Sequence, residues 1–217
     1  MLEDSYRHKG MRKSLVRLVK GKGIKDERVL KAIGNVPRHY FFEKAFVEHA
    51  YQDKAFPIGE KQTISQPYTV AFQTELLEIK PEDAVLEIGT GSGYQACVLI
   101  EMGAKVFTIE YNKNLFEKTK EFLPKMGYYP KFFCGDGSKG LPAFAPFDKI
   151  IVTAGAPSVP KSLIEQLKEN GMLVIPVGDD KLQKMIRITK KEGNKLVKEE
   201  FDNFSFVPLL GKEGWDS

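Results

Sequence analysis

The chain has 217 residues, enough to bury one substantial core, and 42% of them are apolar, an ordinary globular share. Its 33 basic and 29 acidic side chains leave a formal charge of only +4, dispersed mostly over lysines, which argues against nucleic acid as a partner. Cys97 and Cys134 lack the spacing of a metal knuckle or a redox pair, and no apolar run is long enough to span a bilayer or serve as a secretory signal, so a cytoplasmic protein with reduced thiols is expected.

The basic opening predicts a surface helix with Met11, Leu15 and Leu18 on its inner face. Asp26 is placed to cap a second helix, whose Val29, Leu30 and Ile33 point inward until Gly34 and Asn35 end it. From Val36 to Gln66, prolines and mixed polarity predict short helices and irregular loop. Pro67 suits a first helical turn, and Tyr68, Ala71, Phe72, Leu76 and Ile79 repeat at helical spacing up to Pro81.

After Pro81 strands alternate with helices, the pattern of right-handed βαβ units around a parallel sheet. Strands are expected at Ala84 to Ile88, Lys105 to Glu110, Lys131 to Cys134, Lys149 to Thr153 and Met172 to Val177. Helices are expected at Tyr94 to Met102, Asn114 to Met126 and Pro160 to Glu169. Met185, Ile186 and Ile188, a Glu192-Gly193-Asn194 turn, then Leu196, Val197 and Phe201 make a closing hairpin. The expected fold class is therefore α/β: a doubly wound, mostly parallel sheet over 81–217, with a C-terminal antiparallel hairpin and an N-terminal helical cap over 1–80, all in one domain.

Chemistry concentrates where the first expected strand meets its helix. Val85-Leu86-Glu87-Ile88-Gly89-Thr90-Gly91-Ser92-Gly93-Tyr94 runs from a buried strand through three glycines, which allow close approach of a ligand to backbone amides. The order G-x-G-x-G differs from the dinucleotide G-x-G-x-x-G. Glu87, just before it, would repel a pyrophosphate but suits the ammonium and sulfonium of S-adenosylmethionine. Glu110, ending the next strand, is placed to accept from a ribose diol. Asp136, in Gly135-Asp136-Gly137, emerges on the same edge, where it could accept from an exocyclic amine or simply serve its turn.

Several stretches carry a more specific resemblance: Val36-Pro37-Arg38, Ala50-Tyr51-Gln52-Asp53, Gln62-Thr63-Ile64-Ser65-Gln66-Pro67-Tyr68, the glycine loop, Gly135-Asp136-Gly137, Phe147-Asp148 with Thr153-Ala154-Gly155-Ala156-Pro157, and Val207-Pro208-Leu209. In this order, over nearly the whole chain, the sequence resembles the protein-L-isoaspartate O-methyltransferases, which implies a Rossmann-like methyltransferase sheet. Ala55 and Asn170 depart from the family, which often has proline and glycine there. Neither position is one the resemblance assigns to chemistry.

The resemblance implies a repair enzyme that methylates the free α-carboxylate of L-isoaspartyl residues, and of D-aspartyl residues, in damaged proteins. The methyl ester then closes to a succinimide, and S-adenosyl-L-homocysteine is the spent cofactor. Ser65 would lie between cofactor and substrate, with Gln62, Thr63 and Ile64 lining the cleft on the cofactor side. Gly89, Thr90, Gly91, Ser92, Gly93 and Gly137 would hold the cofactor with Glu87, Glu110 and Asp136. Val207, Pro208 and Leu209 would supply backbone contacts to the isopeptide. A monomer without membrane or nucleic-acid partners is expected.

The chemistry agrees with the residues. An α-carboxylate is already ionised at neutral pH, so the nucleophile needs neither general base nor metal, and in-line displacement becomes a matter of positioning. The Ser65 hydroxyl can hold one carboxylate oxygen, although a serine just before Gln66-Pro67 is also a good helix cap. His8, His39 and His49 have no partners at metal-ligand spacing and read as surface or packing residues. A dehydrogenase is opposed by the glycine spacing. A methyltransferase acting on other acceptors would favour an Asn/Asp-Pro-Pro-aromatic motif where this chain has Thr153-Ala154-Gly155-Ala156-Pro157.

Overall fold

A computed structural model of the chain describes residues 3–215. Helix α1 (Tyr6–Gly21) starts at Ser5, whose side chain accepts from the His8 amide. Its inner face is Arg12, Leu15 and Val19, while Leu18 is 44% exposed. The face is rotated from the expected Met11, Leu15 and Leu18 because Arg12 turns inward. Its guanidinium reaches Asp4, the Gly34 carbonyl and the Tyr51 hydroxyl.

Helix α2 (Glu27–Asn35) is capped by Asp26, which accepts from the Arg28 amide, and buries Val29, Leu30, Ala32 and Ile33. Two short 3-10 turns follow at Arg38–Phe41 and Lys44–His49. An antiparallel hairpin then pairs β1 (Phe56–Gly59) with β2 (Gln62–Ile64), where only loop was expected. Its turn holds Glu60 and Lys61 at φ of 52° and 57°, residues that do not advertise a left-handed turn as Asn-Gly would. Helix α3 (Pro67–Leu76) begins on Pro67 as expected but stops short of Ile79.

The sheet strands are β3 (Ala84–Ile88), β4 (Lys105–Glu110), β5 (Lys131–Cys134), β6 (Phe147–Val152), β7 (Leu167–Gly178), β8 (Gln183–Lys190) and β9 (Leu196–Phe204). Helices α4 (Tyr94–Glu101), α5 (Lys113–Lys125) and α6 (Lys161–Glu165) connect them. The strand order is β5-β4-β3-β6-β7-β8-β9, parallel as far as β7 and antiparallel in the last two pairings. The chain winds outward from β3 to β5, then returns to the other side of β3 at β6. That reversal opens a crevice at the carboxyl ends of β3 and β6.

The helix expected over Pro160 to Glu169 is only α6, and β7 starts at Leu167 rather than Met172. Leu167 already pairs with Phe147, and Asn170 sits at φ 61°, which breaks a helix. Glycine at this position would have no steric cost, and asparagine tolerates the left-handed region better than most residues.

Alternate strand residues feed two cores. Val85, Ile151 and Val174 join a cluster that includes Leu15, Val19 and Ile33 from α1 and α2, so the N-terminal helices cover this face. Leu86, Ile88, Ile150 and Val152 enter a second cluster with Leu163 and Leu209. Burial on both faces explains the continuous apolar runs of the central strands. Among the described residues, no helix is long and apolar enough to cross a membrane.

Candidate active site

A cleft of about 280 Å³ opens over the carboxyl ends of β3 and β4. Gln62, Thr63, Ser65, Gly89, Thr90, Gly91, Ser92, Glu110, Gly137, Val207, Pro208 and Leu209 line it, so most of the residues selected from sequence converge. Glu110 ends β4 with its carboxylate facing the glycine loop. Oε2 accepts from the Gly91 amide at 2.8 Å and Oε1 from the Asn112 amide at 2.9 Å. Each oxygen keeps a further lone pair, which suits a vicinal diol. Thr153 at the end of β6 locks the loop from beneath, its hydroxyl donating to the Gly89 carbonyl at 2.7 Å.

Four residues take other places. Glu87 does not line the cleft: it is 0% exposed, held by the Thr108 hydroxyl at 2.5 Å, and its other oxygen has no partner among the described residues. Burial, with the Glu110 charge adding to it, pushes its carboxyl up to about 8, so at neutral pH it is an uncharged acid rather than a counter-charge for a sulfonium. The reason is position, since Glu87 lies within β3 between two paired neighbours. Its link to the cleft is indirect, because Thr108 also meets Thr90 of the loop, hydroxyl to hydroxyl, at 2.6 Å.

Gly93 faces α5 instead of the cleft. At φ 84°, any Cβ there would come within 2.8 Å of Leu123 and 2.9 Å of Thr119, so glycine admits the helix. Ile64 turns into the core at 2% exposure. Asp136 commits its carboxylate to the Ser138 amide and hydroxyl and the Lys212 amide, at 2.6 to 3.0 Å, which is the turn role left open from sequence. These hydrogen bonds hold it below its ordinary pKa against the opposing effect of burial.

A second cavity of about 440 Å³ is lined by Lys22, Ala55, Gln66, Tyr68, Asn203 and Phe206, among others. It shares Thr63, Ser65, Thr153 and Val207 with the first cleft, which places Ser65 at the junction. Ser65 makes no cap: the cap residue of α3 is Gln66, whose side chain makes no cap bond, and the Tyr68 amide of the first turn donates instead to Asp53 Oδ1 at 2.8 Å. Along the facing wall, Gly155 N–H donates to the Val207 carbonyl and Leu209 N–H to the Gly155 carbonyl, both at 2.8 Å. Those groups serve the fold. Trp215 secures the same wall by donating from Nε1 to the Gly155 carbonyl at 3.0 Å.

Sequence reasoning missed Glu60, Tyr94, Gln95, Tyr111 and Asn112 in the first cleft. Glu60 arrives on the β1–β2 hairpin, tied to Asn112 at 3.1 Å. Tyr111 and Asn112 simply follow Glu110, a proximity that could have flagged them. Against expectation the fold also gathers Asp4, His8 and His39, with ligand atoms within 4.8 Å. His39 is already engaged by the Tyr51 hydroxyl at 2.7 Å and the Glu3 carbonyl at 3.0 Å, and Asp4 by Arg12.

A doubly wound sheet with a glycine loop at its switch point and a carboxylate ending the neighbouring strand makes a site for a ribose-bearing cofactor, and the G-x-G-x-G order of the loop is the one shared by S-adenosylmethionine-dependent methyltransferases. The family model that matches residues 10–214 is protein-L-isoaspartate(D-aspartate) O-methyltransferase, and the chain belongs to this family. A protein-L-isoaspartate O-methyltransferase of Cytophaga hutchinsonii is 62% identical over 216 residues, covering 100% of this chain and 98% of its own. One from Christiangramia forsetii is 60% identical over 96% of this chain and 98% of its own. Among solved structures, a protein-L-isoaspartate O-methyltransferase superposes with a TM-score of 0.84 at 31% identity, covering 94% of this chain and 67% of that one. A Plasmodium falciparum protein described as a protein-L-isoaspartate O-methyltransferase, in complex with S-adenosyl-L-homocysteine, gives 0.77 at 27%, over 92% and 98%.

Proposed function

We propose that this chain methylates the α-carboxylate of L-isoaspartyl residues, and of D-aspartyl residues, in damaged proteins, with Ser65 holding the acceptor. The observation that carries the reading is the junction of two cavities at Ser65, one over the glycine loop and one open toward Tyr68 and Phe206. When bound, S-adenosylmethionine supplies an electrophilic methyl group. Glu110 would accept from its ribose, with Gln62, Thr63, Gly89, Thr90, Gly91, Ser92 and Gly137 around it. The residue after Glu110, Tyr111, lines the same cleft and would flank the base.

The acceptor carboxylate arrives ionised, so the protein has no proton to remove. Its task is to aim one oxygen and keep water out. The Ser65 hydroxyl donates to the other oxygen, and the Pro208 carbonyl fixes the adjoining peptide. An isoaspartyl residue carries its carboxylate directly on the α-carbon, while a normal aspartyl residue presents it one methylene further out. A cleft that holds both backbone and carboxylate accepts only one of these reaches. The reading extends to a cytoplasmic monomer acting on protein, not nucleic acid.

The test is transfer of labelled methyl to peptide pairs that differ only in aspartyl or isoaspartyl linkage. Methylation confined to the isoaspartyl member is expected, and equal labelling of both refutes the reading.

A further inference from the structure

The Val36-Pro37-Arg38 stretch ends on a charged side chain that belongs neither to the surface nor to either cavity. Arg38 is 0% exposed. Its Nε donates to the Ala50 carbonyl at 3.0 Å and its Nη2 to the Ser65 carbonyl at 2.8 Å, with a weak contact to Lys54 O at 3.5 Å. Its guanidinium carbon lies 4.5 Å from the centre of the Tyr94 ring. Tyr94 is the first residue of α4, directly after the glycine loop, and lines the first cleft. We infer that Arg38 is a positioning residue that fixes Ser65 relative to the glycine loop by tying the acceptor segment to the cofactor segment.

Three observations support this. Its hydrogen bonds run to carbonyls, not to a carboxylate, so a desolvated cation is kept without a direct counter-ion, a cost that an apolar side chain of similar volume avoids. Burial brings its pKa down only to about 10, so it stays cationic at neutral pH. Among the described residues its Nη1 and the Tyr94 hydroxyl both lack a partner of hydrogen-bond geometry, and Arg38 bonds to the Ser65 segment at one edge and lies over the Tyr94 ring, close enough to offset part of what burial does to that phenol. The planar fork and flat face of guanidinium can do both at once, which a lysine ammonium cannot. Methylation also removes the acceptor's charge, and a cation touching the carboxylate would favour the charged ground state over the transition state. Arg38 stays out of the cavities and acts through Ser65 placement.

The inference rests on the role assigned to Ser65, and its test separates the two. Arg38→Lys and Arg38→Met are compared with wild type for kcat and KM on an isoaspartyl peptide, for S-adenosylhomocysteine affinity by calorimetry, and for deuterium exchange over residues 62–66. Both variants should lose turnover by about a hundredfold, as expected for a misplacement on the order of 1 Å. Cofactor affinity should change by less than about threefold, since Arg38 does not line that cleft, while exchange over 62–66 quickens. Full turnover in Arg38→Lys, or unchanged exchange in both variants, overturns the assignment. So does failure of both to fold, because Arg38 then serves the fold itself. If wild type shows no linkage preference, the repair reading falls, and the exchange comparison still decides the role of Arg38.

Discussion

Replacing Glu87 with glutamine should change how stability depends on pH. The carboxyl is sealed within β3, where burial, the main cause, and the Glu110 charge raise its pKa from 4.5 to about 8 against the Thr108 hydrogen bond. Between those values the folded chain keeps a proton that the unfolded chain releases. The contribution to stability is therefore fully present below about pH 4.5 and lost as pH rises through about 8. At 1.36 kcal/mol per unit, keeping the group neutral costs about 3 kcal/mol by pH 7, with little discount for screening because the site excludes water. Glutamine has nearly the same volume, can still accept from Thr108 and does not titrate. Urea unfolding of both proteins from pH 5 to pH 8 should show the wild type losing stability faster by roughly one proton's slope, about 1.4 kcal/mol per pH unit. The variant should therefore draw ahead toward pH 8. Parallel curves would mean that Glu87 is charged in the fold, and the relay through Thr108 to Thr90 would have to be redrawn.

Glu110→Ala should weaken S-adenosylmethionine binding by about 1.5–3 kcal/mol, as loss of a charged hydrogen-bond partner does; unchanged affinity by calorimetry rejects the ribose assignment. Ser65→Ala should cut turnover on isoaspartyl peptide by about a hundredfold. Its melting temperature should hardly move, because no cap bond is lost, and a variant with full turnover sinks the acceptor role. Asn170→Val should destabilise the fold by about 1–3 kcal/mol, because a β-branched residue resists φ 61°. An unaltered denaturation midpoint would contradict the strain argument.

The sheet was legible because its central strands are short apolar runs bounded by glycine and polar turns, and burial on both faces makes such runs unmistakable. The β1–β2 hairpin escaped notice because Glu60-Lys61 is not a left-handed turn signature. The α6 to β7 boundary was misplaced because Lys168, Glu169 and Asn170 are polar enough to continue a helix, and only pairing of Leu167 with Phe147 claims them for the sheet. At the site, residues in the glycine loop could be chosen by spacing, but where each side chain faces depended on distant partners. Glu87 reads as a loop carboxylate until β4 and β6 close over it, and Gly93 as a ligand contact until α5 arrives. Arg38 was invisible as a buried group, since nothing local distinguishes a core arginine from a solvated one.

The closing strand β9 bears on the company this protein keeps. Damaged, partly unfolded chains offer bare backbone that seeks an open sheet edge, and an enzyme handling them risks being annealed to its own clients. Its outer strand carries Lys198, Glu199, Glu200 and Asp202 in close succession, with Arg187 and Lys184 of β8 paired across to the two glutamates. At the opposite margin β5 is only four residues long, and Lys131 folds back over the Phe107 ring at 4.7 Å. Charge on one margin and brevity on the other are the features that discourage an open sheet edge from pairing with a foreign strand.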